Sequence, residues 1–250
     1  MSANRMRIAV VGHVEWAEFV RVKRLPSPGE IVHALEHWED PAGGGAVAAV
    51  QLTRLADECL FLTALGDDDL GHRACRALEA LGVRMEVVWR HEGSRRAFVH
   101  VDANAERTIT VLGERLGPRG DDPLPWAELG EVDAVYFTAG DATAVRMARA
   151  APKLVATVRA MEALVGAGVQ LDALVSSASD EGERYAEGDL DPRPLLVART
   201  AGSAGGTLTT ADGRPHEWVA PPLPGPPVDT YGAGDSFAAG LTYGLAEGRS

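Results

Sequence analysis

The group best placed for chemistry in this sequence is Asp235. It directly follows the small-residue turn Gly232-Ala233-Gly234, within Val228-Asp229-Thr230-Tyr231-Gly232-Ala233-Gly234-Asp235-Ser236-Phe237. The Pro-rich run 220–227 before it excludes helix. After it, Phe237, Leu241 and Leu245 recur at helical spacing. The turn therefore opens a helix, and such an opening gathers backbone N–H groups and the positive dipole end at one point, where an anion is favoured. A carboxylate beside that point repels a simple phosphate. It becomes useful if it takes a proton from a hydroxyl that then attacks a phosphoryl group held by the N–H groups. The same residues also suit an ordinary charged helix start.

The elements that must position Asp235 read as α/β. Arg7–Gly12 is a short apolar run, as in a buried parallel strand. Phe19–Val22 and Ile31–Trp38 read as short strands of an antiparallel flap, with Glu15, Trp16 and Glu18 just before them. Gly43-Gly44-Gly45 opens an Ala-rich helix, again offering backbone N–H groups. Cys59–Leu65 is a strand, and a helix follows at His72–Leu81. Asp67, Asp68 and Asp69 between them read as helix-start acids rather than a metal cluster. Val83–Arg90 and Arg95–Asp102 read as strands joined by the hairpin signal His91-Glu92-Gly93-Ser94. Arg107–Leu112 is a further strand. Arg96, Phe98 and His100 alternate and so share one face. Strands at 132–138, 153–157, 171–175 and 195–200 alternate with helices near 142–151 and 159–165, the rhythm of a parallel sheet covered on both faces. Residues 207–210 and 216–219 read as a hairpin. Thr200-x-Gly202-x-x-Gly205 is a Gly-rich turn without the Gly-Lys-Ser/Thr of a Walker A loop.

Asp229 to Phe237 fit the pattern Asp-Thr-x-Gly-Ala-Gly-Asp-x-Phe at every fixed position. This resembles the C-terminal signature of the ribokinase-like (PfkB) carbohydrate and nucleoside kinases. Gly43-Gly44, Gly66–Gly71 and Thr200–Gly205 resemble further stretches of that family, in the same order. The resemblance implies a three-layer α/β/α ribokinase-like fold with a mainly parallel central sheet and a small β lid. Residues 1–250 would form a single domain, with lid strands from about 13–38 and 95–112. It implies transfer of the ATP γ-phosphoryl group to a sugar or sugar-like hydroxyl. Asp235 would be the base, and Gly232, Ala233 and Gly234 the donors to the transferring group. Thr200, Gly202 and Gly205 would approach the nucleotide, with Asp229 helping to place Mg²⁺. Asp180, at the helix start Ser176–Glu183, would meet the metal through water. Glu15, Gly43, Gly44 and Arg96 would face the acceptor. Ala17 and Ala48 stand where the family has Asp and Asn, so two hydroxyl-gripping side chains are missing and an acceptor other than plain ribose is expected. The sequence closes soon after Asp235, where the family usually continues with one or two further helices, so the expectation is either a shortened form or a nucleotide site built differently. A sugar- or nucleoside-binding regulatory protein without turnover is the alternative, and a possible homodimer through the lid strands is a further implication.

Composition fits an ordinary globular chain: 250 residues, 46% hydrophobic, 24% charged. The net charge of −12 disfavours nucleic acid and anionic membrane as partners. Cys59 and Cys75 lack metal spacing and read as reduced thiols. The start Met1–Arg7 shows no signal peptide and no apolar run reaches the ~18 residues of a membrane span, so a cytoplasmic protein is expected.

Overall fold

The computed structural model describes residues 5–249. Met1–Asn4, part of the start read above for a signal peptide, and Ser250 lie outside them. The elements are β1 (Arg7–His13), β2 (Glu15–Arg21), β3 (Glu36–Ala42), α1 (Gly44–Leu55), β4 (Glu58–Gly66), α2 (Asp69–Ala80), β5 (Arg84–Arg90), β6 (Arg96–Val101) and β7 (Arg107–Leu112). The second half adds β8 (Ala134–Phe137), α3 (Ala142–Ala148), β9 (Leu154–Thr157), α4 (Met161–Ala167), β10 (Ala173–Ser177), β11 (Leu196–Thr200), β12 (Gly206–Thr210), β13 (Pro215–Trp218) and α5 (Ala233–Ala246).

The large sheet has the order β13-β12-β11-β10-β9-β8-β1-β4-β5. It is parallel from β11 to β5, and β12 and β13 close one edge antiparallel. The alternation of β1 explains the layers. Ile8 and Val10 pack with Phe61, Leu52, Leu78 and Ala239 on the side of α1, α2 and α5. Ala9 and Val11 pack on the opposite side with Leu60, Leu62, Val145 and Leu164, against α3 and α4. A strand buried on both faces needs no polar alternation, and β1 has none. The result is the three-layer α/β/α fold.

A second sheet stands apart, in the order β3-β2-β6-β7. One face buries Ala17, Phe19, Ala97, Val99 and Val101 with Ala42, against Trp38 and Tyr231. Two sequence expectations change here. The strand expected at Ile31–Trp38 begins only at Glu36 and runs through Pro41 to Ala42, while Ile31 is 87% exposed. Nothing covers Ile31, and Pro41 is tolerated because β3 is an edge strand. The expected hairpin at His91–Ser94 does not form. β5 pairs with β4 at the edge of the large sheet, whereas β6 pairs with β2 and β7 in the small one. Asp68 pins this crossover by accepting from the Ser94 N–H and hydroxyl, both at 2.7 Å.

Asp68 also caps α2 through the Gly71 N–H at 2.8 Å. The aspartate triplet therefore serves a helix start, and the described residues contain no cluster of three acids, histidines or cysteines arranged for a metal. Cys59 is buried and unpaired, its thiol pushed up to about 12 by burial. No helix among the described residues is long and apolar enough to cross a membrane.

Candidate active site

The site lies at the carboxyl edge of the parallel strands, where open α/β sheets bind ligands. β1 ends there at His13, β8 leads into Thr138, β10 ends at Ser177 and β11 at Thr200. α5 brings Asp235 to this edge by packing on α1 through small side chains. Ala46, Ala48, Ala49, Ala238 and Ala239 are all buried in that cluster. Ala48 is fully buried there and offers only a methyl group.

Gly232 turns the chain into α5 with φ 72° and ψ 6°, a left-handed conformation that suits glycine. A Cβ at this position would also lie 2.8 Å from Val47 Cγ1. The Ser236 N–H makes the first helical bond, to Gly232 O at 2.8 Å. Before it, the Ala233 N–H meets only Thr230 O, at 3.4 Å. The Gly234 and Asp235 N–H groups have no acceptor among the described residues. Gly234 faces open space. The helix start thus leaves donors free for an anion. Asp229 accepts from the Tyr231 N–H at 2.9 Å, an Asx turn that shapes the approach.

Asp235 is half-buried. A Cβ on Gly44 would stand 2.7 Å from Asp235 Oδ1 and 3.0 Å from Thr138 Oγ1, so only glycine leaves room between them. Burial pushes the Asp235 carboxyl up to about 6. Arg159 and Arg107 pull it down, while Glu183 and Glu15 add to the rise. A carboxyl in that range is tuned for proton transfer near neutral pH.

The side of the site next to the small sheet is knit together by Tyr231. The Gly43 N–H donates to the phenol oxygen at 3.1 Å, and the phenol donates to Glu15 Oε1 at 3.0 Å. Arg95 Nε takes Glu15 Oε2 at 3.1 Å. Glu15 therefore holds two neighbours in place, and its carboxylate is occupied. Arg96 lies on the opposite face of the small sheet from Tyr231, paired with Glu18. The structure brings Gly43, Gly44, Glu15, Asp235 and Gly232–Gly234 together and leaves Arg96 outside. The register supplies a carboxylate that the sequence did not suggest. Asp40 of β3 stands directly opposite Ala17 of β2 on the same face, and burial raises its pKa. Among the described residues Asp40 has no ion-pair partner.

At the end of β11, Gly202 and Gly205 take left-handed φ values of 58° and 92° after Thr200, whose hydroxyl donates to Ser176 O at 3.3 Å. Trp218 backs this loop and stacks on Phe237 of α5, with ring centroids 5.2 Å apart and planes 8° apart. That stack fixes the loop relative to Asp235. Asp180 accepts from the Gly182 N–H at 2.9 Å and pairs with Arg159 at 3.1 Å, and Glu183 pairs with the same guanidinium. Both carboxylates are thus taken up by Arg159, and a Mg²⁺ that arrives on phosphate and keeps most of its waters would meet them through water.

Sequence reading missed His13, Arg95, Arg107, Arg115 and Arg159. His13 is 6% exposed and its Nδ1 has no partner. Burial, then Arg115, Arg95 and Arg159, lower its pKa to about 3, so the ring is neutral. Its position directly after a buried strand was the only sequence signal. The arginines come from four separate loops and strands, which no local pattern links.

Comparison with known proteins agrees with this fold. The family model for "pfkB family carbohydrate kinase" matches residues 5–180 and 196–250. An ATP-dependent ribose-1-phosphate kinase of Halopiger xanaduensis is 31% identical, over 94% of this chain and 83% of its own. Ribokinase from Thermotoga maritima superposes with a TM-score of 0.75 at 22% identity, covering 98% of this chain and 87% of that one. Arabidopsis thaliana ribokinase, complexed with ribose and ATP, gives 0.73 at 20% identity, covering 99% and 88%. The two structures share the fold, and with the family match they leave one conclusion: the chain belongs to the pfkB family of carbohydrate kinases.

Proposed function

We propose that this sugar kinase transfers the γ-phosphoryl group of ATP to a hydroxyl of a pentose-bearing acceptor, a sugar or a nucleoside, with Asp235 as general base. The acceptor oxygen forms a bond to the γ-phosphorus, the bond to the bridging oxygen breaks, ADP leaves with the electron pair, and the hydroxyl proton passes to Asp235. The free N–H groups of Gly234 and Asp235, with the weakly held Ala233 N–H, at the turn made by Gly232, take the charge that spreads over the transferring oxygens. Thr200, Gly202 and Gly205 receive the nucleotide phosphates. Asp180 and Glu183 would hold a Mg²⁺ that neutralises phosphate charge, and Asp229 shapes the entry. Gly43 and Gly44 let the acceptor approach the N-terminus of α1, Glu15 sets Tyr231 and Arg95, and Asp40 grips an acceptor hydroxyl. The small sheet acts as a lid within one domain, and its exposed β7 residues Ile109, Val111 and Leu112 suit pairing with a second copy.

One observation carries this reading: a carboxyl poised near 6 beside donors with no other partner. The relatives' names include free ribose and a phosphorylated ribose, which supports a pentose and leaves its charge open. Incubation with Mg·ATP and a panel of pentoses, pentose phosphates and nucleosides, with ADP measured, tests the reading. ADP that requires an acceptor and disappears in Asp235→Asn supports it. Thermal stabilisation by an acceptor without ADP under any condition would instead favour a binding protein.

A further inference from the structure

Arg95, Arg115 and Arg159 share one electrostatic neighbourhood: the charges of Arg95 and Arg159 act on Arg115, and all three act on His13. Arg115 donates to the Arg159 carbonyl at 3.3 Å. Arg95 reaches the same region through Glu15. Burial, then Arg95 and Arg159, lower the Arg115 pKa, although its side chain still meets solvent. Arg95 is matched by Glu15, and Arg159 by Asp180 and Glu183. Among the described residues Arg115 has no carboxylate within ion-pair distance. Like charges crowded in this way are costly unless an anion joins them.

A cavity of about 740 Å³ stands beside them, with Arg115, Arg119 and Arg159 in its wall and Ala139-Gly140 at its floor. Arg90 in the same wall is neutralised by Asp122, and Asp141 is spent on the Gly120 and Ala144 N–H groups. Glu92, Glu114 and Glu162 also line it. Its floor directly follows Thr138, whose hydroxyl is near Asp235. The buried, neutral and unpartnered His13 lies within the field of the same arginines. Ala17 and Ala48, where the resemblance would place hydroxyl-gripping side chains, are both fully buried. Arg115 thus stands as a cation without a carboxylate partner, available to an anion.

We propose that the acceptor is a phosphorylated sugar, its phosphate held by Arg115 and flanked by Arg95, Arg159 and His13, with a hydroxyl presented to Asp235. Guanidinium groups suit this through their fork of N–H donors. The inference rests on the kinase reading of the same site and names the charge of its acceptor.

The test uses the full chain and pairs each neutral acceptor with its phosphate: ribose against ribose 1-phosphate and ribose 5-phosphate, inosine against inosine 5′-monophosphate. The expected kcat/KM favours a phosphorylated member by about 10²-fold, the scale at which a charged site rejects an unpaired ligand. Arg115→Gln should raise the KM for that acceptor roughly 10- to 100-fold and leave the KM for ATP unchanged, with Arg115→Lys recovering part of the loss. Circular dichroism checks that both variants fold. Equal or better turnover of the neutral members would overturn the inference and leave the kinase standing. A rise in the KM for ATP alone would overturn it by assigning Arg115 to the nucleotide. If no panel member yields ADP, titration calorimetry with ribose 5-phosphate decides: binding lost in Arg115→Gln upholds the anion site and sinks the kinase, and no binding to the wild type overturns both.

Discussion

The phenol of Tyr231 donates to Glu15 Oε1 at 3.0 Å, joining residues 216 positions apart. One end of this bond lies in the turn that leads into α5, the other in the first strand of the small sheet. The same oxygen receives the Gly43 N–H, so one phenol ties together the small sheet, the start of α1 and the approach to Asp235. Burial and the Glu15 charge raise the Tyr231 pKa, which keeps the phenol a donor at every physiological pH.

Tyr231→Phe should therefore strand one Glu15 oxygen and the Gly43 N–H. The expected loss is about 1–3 kcal/mol of stability, read from urea midpoints at unchanged slope. The KM for the acceptor should rise more than the KM for ATP, because the displaced groups all lie on the acceptor side.

Asp235→Asn should lower kcat by about 10²–10⁴-fold, the scale for a lost general base. In the wild type, kcat/KM should climb with pH through about 6 and then level, as Asp235 gives up its proton.

The same carboxyl predicts a stability effect. Its folded pKa of about 6 lies above the unfolded 3.8, so its favourable contribution is complete below about pH 4 and is lost as pH rises through 6. Asp235→Asn avoids that loss. The variant should melt higher than the wild type at pH 8, by up to about 3 kcal/mol in stability, with the gap narrowing toward pH 4. Equal melting temperatures at both pH values would contradict the raised pKa.

Gly44→Ala separates the site from the fold. A Cβ there would press on Asp235 Oδ1 at 2.7 Å and on Thr138 Oγ1 at 3.0 Å, at a helix start where alanine is otherwise welcome. Melting temperature should change little and kcat should fall at least about tenfold, since a misplacement of about 1 Å costs that much or more.

Asp40→Asn should raise the acceptor KM several-fold without touching the KM for ATP. Steady-state kinetics with each substrate varied in turn would show it. Equal changes in both constants would place Asp40 outside the acceptor site.

What the sequence made legible was contiguous. The turn at Gly232–Gly234 with Asp235 spans a few adjacent residues, and its chemistry follows from local helix-start physics. The parallel sheet was legible because β1, β4 and β8–β11 are short apolar runs at α/β spacing. The hairpin at His91–Ser94 was misread because a tight connection looks the same whether it stays in one sheet or passes to another. β3 was misplaced because the β-branched Ile31 suggested a strand that nothing packs against. Asp40 became visible only when register set it opposite Ala17. Arg95, Arg115 and Arg159 became neighbours only through the order of the strands. Arg96 shows the converse: its alternation with Phe98 and His100 was read correctly, but sequence could not say which face meets Tyr231.

The alanine seam between α1 and α5 joins two helices that the ribosome makes far apart in time. α1 must wait, its small apolar side chains uncovered, until the chain that follows it has been made as far as α5. Only then can Asp235 and the Gly232–Gly234 turn come to lie against the start of α1. Chains interrupted between the two helices lack the seam and expose an apolar surface of the kind that chaperones recognise.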